Sequence, residues 1–171
     1  MTEREYKKII VADENNENPR AVTYPEAVAN GWIRRAARVF LVNEDGKVLI
    51  QKRSRHIAKP QLFDNSAAGH VDEGEEYIDA AVRELKEELG VVVSEEDLEL
   101  MPVIRETNFF AANYRLRVSN DIEIKADEFE VEDLFWMTPQ EIDDFVFNKK
   151  EMCTDSLVEV WNKLRDNIIN I

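Results

Sequence analysis

The chain has 171 residues, 44% hydrophobic and 34% charged, with 22 Lys+Arg against 36 Asp+Glu and a formal net charge of -14. That length suits one domain with a sizeable core, and the negative charge argues against nucleic acid and membrane surfaces as partners, since both need a positive footprint. No apolar run approaches the roughly 18 to 20 residues that span a bilayer. The opening "MTEREYKKII" is charged where a secretory signal would be apolar, and the lone Cys153 excludes an internal disulfide framework and suits a reducing cytoplasm.

In chain order, "KKIIVAD" predicts a first strand and "ENNENP" a turn after it. "YPEAVANG" predicts a short helix closed by Gly31. "RVFLVNEDGKVLIQKRS" predicts a hairpin, with two β-rich runs around "NEDG" and Gly46 supplying positive φ. "IDAAVRELKEELG" predicts a helix closed by Gly90, with Ile78, Ala81, Val82, Leu85 and Leu89 forming an apolar stripe. "LELMPVIRETNFFAANYRLRVS" and "EFEVEDLFWMT" predict further strands. "TPQEIDDFVF" opens a helix with Thr138 as N-cap, Pro139 in the first position and Glu141 completing a capping box. "DSLVEVWNKLRDNII" predicts a terminal amphipathic helix with Leu157, Val160, Trp161 and Leu164 on one face. No repeat or Pro/Gly/Ser-rich linker divides this mixed order, which predicts a single α/β domain over residues 1–171.

Charge is unevenly spread. Residues 1–63 carry 12 bases and 8 acids, whereas residues 64–171 carry 10 bases and 28 acids. A basic segment followed by an acidic one could hold an anion and a metal ion side by side. Within the acidic part, Glu84, Glu87 and Glu88 stand at i, i+3 and i+4, so their carboxylates share one helical face. Hard cations such as Mg²⁺ take a few carboxylates together with substrate phosphates. This spacing alone does not separate a metal site from a solvated charged face.

The wider segment "AAGHVDEGEEYIDAAVRELKEELGV" resembles the Nudix box, G-x5-E-x7-R-E-U-x-E-E-x-G-U with U bulky and apolar. Its defined positions fall on Gly69, Glu75, Arg83, Glu84, Leu85, Glu87, Glu88, Gly90 and Val91. The resemblance implies a Nudix α/β/α sandwich around a mixed β-sheet, with residues 33–165 as the core and 1–32 as an N-terminal extension. It also implies a hydrolase of small nucleoside-diphosphate-X or related diphosphates, with Mg²⁺ or Mn²⁺ held by Glu84, Glu87 and Glu88. Gly69 and Gly90 would allow tight backbone at the two ends of the helix, and Arg83 and Glu75 would pair to orient the loop. One box carboxylate, or Glu106, Asp127, Glu128 or Glu130 from outside it, would take the proton of the attacking water. A homodimer is compatible with this reading.

The flanks, from "GWIRRAARVF" through "QKRS" to "S-x-x-G-H-x-x-x-G-E", resemble the Nudix branch that includes isopentenyl-diphosphate isomerase. Lys52, Arg53 and Arg55 then become phosphate contacts, and Asp64, Ser66 and His70 pocket residues. The isomerases place a cysteine just before the Gly-His pair and use a histidine-rich metal site. This chain has Ala68 there, Arg34 where one of those ligands is expected, and only His56 and His70 as histidines. Isomerisation is therefore the weaker alternative. A non-catalytic Nudix module that binds a nucleotide or a partner is weaker too, because no box glutamate is missing.

Overall fold

A computed structural model describes residues 7–170. Its strands are β1 (Lys8–Ala12), β2 (Arg20–Thr23), β3 (Ile33–Asn43), β4 (Val48–Arg53), β5 (Phe63–Asp64), β6 (Ala67–His70), β7 (Leu98–Arg105), β8 (Phe109–Val118) and β9 (Val131–Met137). The helices are α1 (Tyr24–Ala29), α2 (Tyr77–Leu89), α3 (Pro139–Asn148) and α4 (Asp155–Ile169), with 3-10 turns at Glu95–Asp97 and Lys150–Met152. None of them is long and apolar enough to cross a membrane.

The local signals act as their chemistry predicts. Thr138 accepts from the Glu141 N–H while Glu141 reaches back to the Thr138 N–H, fixing the start of α3. α2 ends at Gly90 in the left-handed conformation, φ +65°, and Gly31 follows α1 at φ +63°. Three strands escape sequence reading: β2, β5 and β6. The last two carry Asp, Ala and Gly, which have little intrinsic preference for a strand. They are strands because β3 and β4 offer them ladder partners.

All these strands join one mixed sheet. β3 is its spine, running parallel to β8 from Arg34 opposite Phe109 to Asn43 opposite Val118. β7 pairs with β8, β1 with β3 and β2 with β1. The β3–β4 hairpin is paired at Val42–Val48. Beyond that the strands part, β3 taking β6 at Ala36–Val39 while β4 takes β5 and β9. The cleft that positions the site lies where they diverge.

Side-chain alternation builds a core on each face. Ala37, Val39, Leu41, Leu49, Ala112, Tyr114 and Leu116 pack against Ala81, Leu85 and Leu89 of α2. Phe40, Val42, Val48 and Ile50 face the other way and meet Ile142 and Val146 of α3 and Leu157, Val160, Trp161 and Leu164 of α4. This is the expected α/β/α layering. A third, smaller cluster of Ile9, Val11, Val22 and Ala27 attaches the N-terminal extension to the sheet. Cys153 is buried, and that burial pushes its thiol up to about 11.

Candidate active site

A cavity of about 540 Å³ opens in the cleft. Its walls come from β3, β4, β5, β6, α2 and the N-terminal extension, and box residues Gly69, Arg83, Glu84, Glu87 and Glu88 all line it.

Arg83 organises the acidic side. Its Nε lies 2.6 Å from Glu75 Oε1 and its Nη2 lies 3.0 Å from Glu75 Oε2. The same guanidinium donates to Glu84 Oε1 at 2.6 Å, to Glu87 Oε2 at 3.1 Å and to the His70 carbonyl at 2.9 Å. Asp72 Oδ2 adds an ion pair at 3.2 Å. Burial pushes the Glu75 carboxyl up, but its bonds to Arg83 and to the Asp72 N–H outweigh this and lower its pKa.

The three box carboxylates do not share one environment. Glu84 and Glu88 are buried, whereas the Glu87 side chain is 55% exposed at the rim. Burial pushes Glu84 up to about 7, Arg83 opposes, and the charges of Glu87 and Glu130 add to the rise. Burial also drives Glu88 well above the ordinary carboxylate range, with Glu84 and Glu130 repelling it and the Gln51 amide at 2.8 Å stabilising it. A solvated face would show none of this. Gly69 makes the arrangement fit, because a Cβ there would overlap the Glu84 carboxylate.

Among the described residues, no three acidic, histidine or cysteine side chains converge as a ready metal cage. Arg83 stands between Glu84 and Glu87 instead. The donor set still suits a hard divalent ion: oxygen-only, crowded, and costly to ionise without a cation. Glu87 is the member with freedom to turn.

The other expected residues divide. Arg53, Asp64, His70 and Glu130 line the cavity; Lys52, Arg55 and Ser66 lie outside its lining. Alternation along β4 explains Lys52: Gln51 and Arg53 face the cleft, so the residue between them points away. Arg55 is 73% exposed, beyond the end of β4, within 3.7 Å of Glu132. Ser66 is buried, donating to the Leu49 carbonyl and accepting from the Leu41 N–H. Arg53 meets Asp64 at 2.9 Å and the Ala58 carbonyl at 2.9 Å. Among the base candidates, Glu106 is engaged by buried Arg38, while Asp127 and Glu128 are exposed. Sequence reasoning missed Gln51, although it heads the quoted "QKRS", and it missed Tyr24 and Phe109, which carry no short-range signal.

Residues 32–155 match the NUDIX domain model, well over half the chain. The chain belongs to the Nudix family. An uncharacterized Nudix hydrolase of Nostoc sp. is 30% identical over 146 residues, spanning 82% of this chain and 83% of that protein. Isopentenyl-diphosphate Delta-isomerase 1 of Photorhabdus laumondii is 24% identical over 169 residues, 94% of this chain and 96% of that one. A crystal structure from Deinococcus radiodurans superposes with a TM-score of 0.74 at 23% identity, covering 92% of this chain and 98% of the other, and it supports the Nudix fold.

Proposed function

We propose that this Nudix protein hydrolyses a diphosphate linkage in a small nucleoside-diphosphate-X or related diphosphate, using Mg²⁺ or Mn²⁺ held by Glu84, Glu87 and Glu88. The observation that carries this is the burial of Glu84 and Glu88, mutually repelling, in a cavity open to a small anion. The ion, when bound, would neutralise the diphosphate and acidify a water. Arg83, fixed by Glu75, would hold Glu84 and the His70 backbone in register. Glu130 lines the cavity and acts electrostatically on both buried glutamates, which makes it the favoured base outside the box. The water oxygen bonds to phosphorus as the bridging P–O bond breaks. Its proton passes to the base carboxylate, and the displaced phosphate leaves as an anion.

The test is a panel of diphosphates assayed for released phosphate with Mg²⁺ and with EDTA. Turnover should require the ion and fall roughly 10²-fold or more in Glu87→Gln or Glu88→Gln. Full activity in EDTA, or in the double variant, would defeat the reading.

The Photorhabdus relative's name brings isomerisation forward as a second reading. Ala68 lines the cavity where the similar isomerases carry their cysteine, and an alanine has no proton to give carbon. Isopentenyl diphosphate should therefore come back unchanged by the isomerase route. Dimethylallyl diphosphate formed at an enzymic rate would reverse this.

A further inference from the structure

Six cationic side chains line the cavity: Lys7, Arg34, Arg38, Arg53, Lys59 and Arg83. Four are already matched, Lys7 by Asp72, Arg38 by Glu106, Arg53 by Asp64 and Arg83 by its acidic cluster. Among the described residues, Arg34 and Lys59 have no carboxylate partner. Lys59 is exposed on a loop, where water screens it. Arg34 is half-buried in the wall.

Arg34 is held from both sides. Its backbone pairs with Val11 of β1 and with Phe109 of β8. Its guanidinium carbon sits 4.2 Å from the Phe109 ring centroid and 5.4 Å from that of Tyr24. The His70 ring touches the same two aromatics, at 5.7 Å from Phe109 and 5.5 Å from Tyr24, and His70 follows the glycine against which Glu84 packs. The seat thus adjoins the acidic cluster.

Stacking engages the face of a guanidinium and leaves its in-plane N–H donors directed outward. Those donors match two oxygens of a phosphate or carboxylate at once. An aromatic seat fixes the position of the charge without neutralising it, which a carboxylate partner would do.

We propose that Arg34, seated on Phe109 and Tyr24, is the anion anchor of the cavity and binds a phosphate of the substrate that is not the one attacked. This rests on the diphosphate reading above. It moves the phosphate contact from Arg53, which Asp64 occupies, to a residue whose seat the N-terminal extension helps to build.

The test is calorimetric titration with methylenediphosphonate, whose P–C–P bridge resists hydrolysis, in the presence of Mg²⁺. Arg34→Gln should weaken binding about tenfold or more, the loss of one charge-assisted fork. Arg34→Lys, which keeps charge but loses the fork, should fall between it and the parent, and Phe109→Leu should weaken binding by loosening the seat. Arg55→Gln, outside the cavity, should bind as the parent does, and thermal melts of each variant report folding. Binding by folded Arg34→Gln within about twofold of the parent, or no binding by the parent, overturns the anchor. The two readings fail separately. Arg34-dependent binding without hydrolysis of any diphosphate leaves the anchor standing and removes the hydrolase, while Arg34-independent binding with metal-dependent turnover does the reverse.

Discussion

Glu84, Glu87 and Glu88 are chemically identical in the sequence, yet two are buried and one lies at the rim. The spacing of the box was legible; which member turns inward depends on Gln51 and Gly69, brought over from β4 and β6. Arg53 shows the converse. Its charge and its place at a strand end suggest a phosphate contact, but Asp64 meets it, and Asp64 also accepts from Thr154 Oγ1 at 2.8 Å. Arg53→Ala should therefore act first on stability, by leaving buried Asp64 short of a partner. The expected cost is about 1–3 kcal/mol in urea denaturation. An unchanged midpoint would show that the pair contributes nothing to the fold.

At the scale of elements, the decisive contact is β6 against α2. Gly69 opposes Ala37 in the ladder and leaves the space that the Glu84 carboxylate fills. Gly69→Ala should push that carboxylate aside. Turnover should then drop by roughly an order of magnitude or more, with a loss of stability of about 1–3 kcal/mol from overpacking. Comparing kcat with the melting temperature separates the two effects, and unaltered kcat would mean that Glu84 tolerates displacement. β4 teaches a related lesson. The period of two admits Gln51 and Arg53 to the cleft and excludes Lys52, so a run of bases cannot be carried over as a block.

For the whole molecule, the site places carboxylates where folding disfavours their charge. Glu84, raised to about 7, and Glu88, raised well above the ordinary carboxylate range by its burial, stay protonated in the fold at pH values where the unfolded chain has ionised. Between about pH 4.5 and 7 the folded state binds more protons than the unfolded one, so their contribution to stability is present below that window and lost as pH rises through it. In EDTA the melting temperature should fall from about pH 5 to about pH 8, less steeply in Glu88→Gln, and added Mg²⁺ should raise it more at the higher pH. A Mg²⁺ effect equal at both pH values would mean that the ion does not meet these carboxylates.

The sequence by itself determined the box, the α/β order, the caps of α3 and the apolar stripes of α2 and α4, because each depends on near neighbours along the chain. Spacing puts Leu85 and Leu89 on one helical face wherever the helix goes, and Thr138 finds Glu141 within a single turn. Only the tertiary structure decided which charges are spent and which are available. Arg38 meets Glu106 across 68 positions, and Asp64 meets Thr154 across 90. Arg34 is left without a carboxylate among the described residues because β3 delivers it to Phe109 and Tyr24 instead. Local pattern sets which elements form. The pairing of distant side chains, and so the electrostatics of the cavity, is set by where β3 and β4 part.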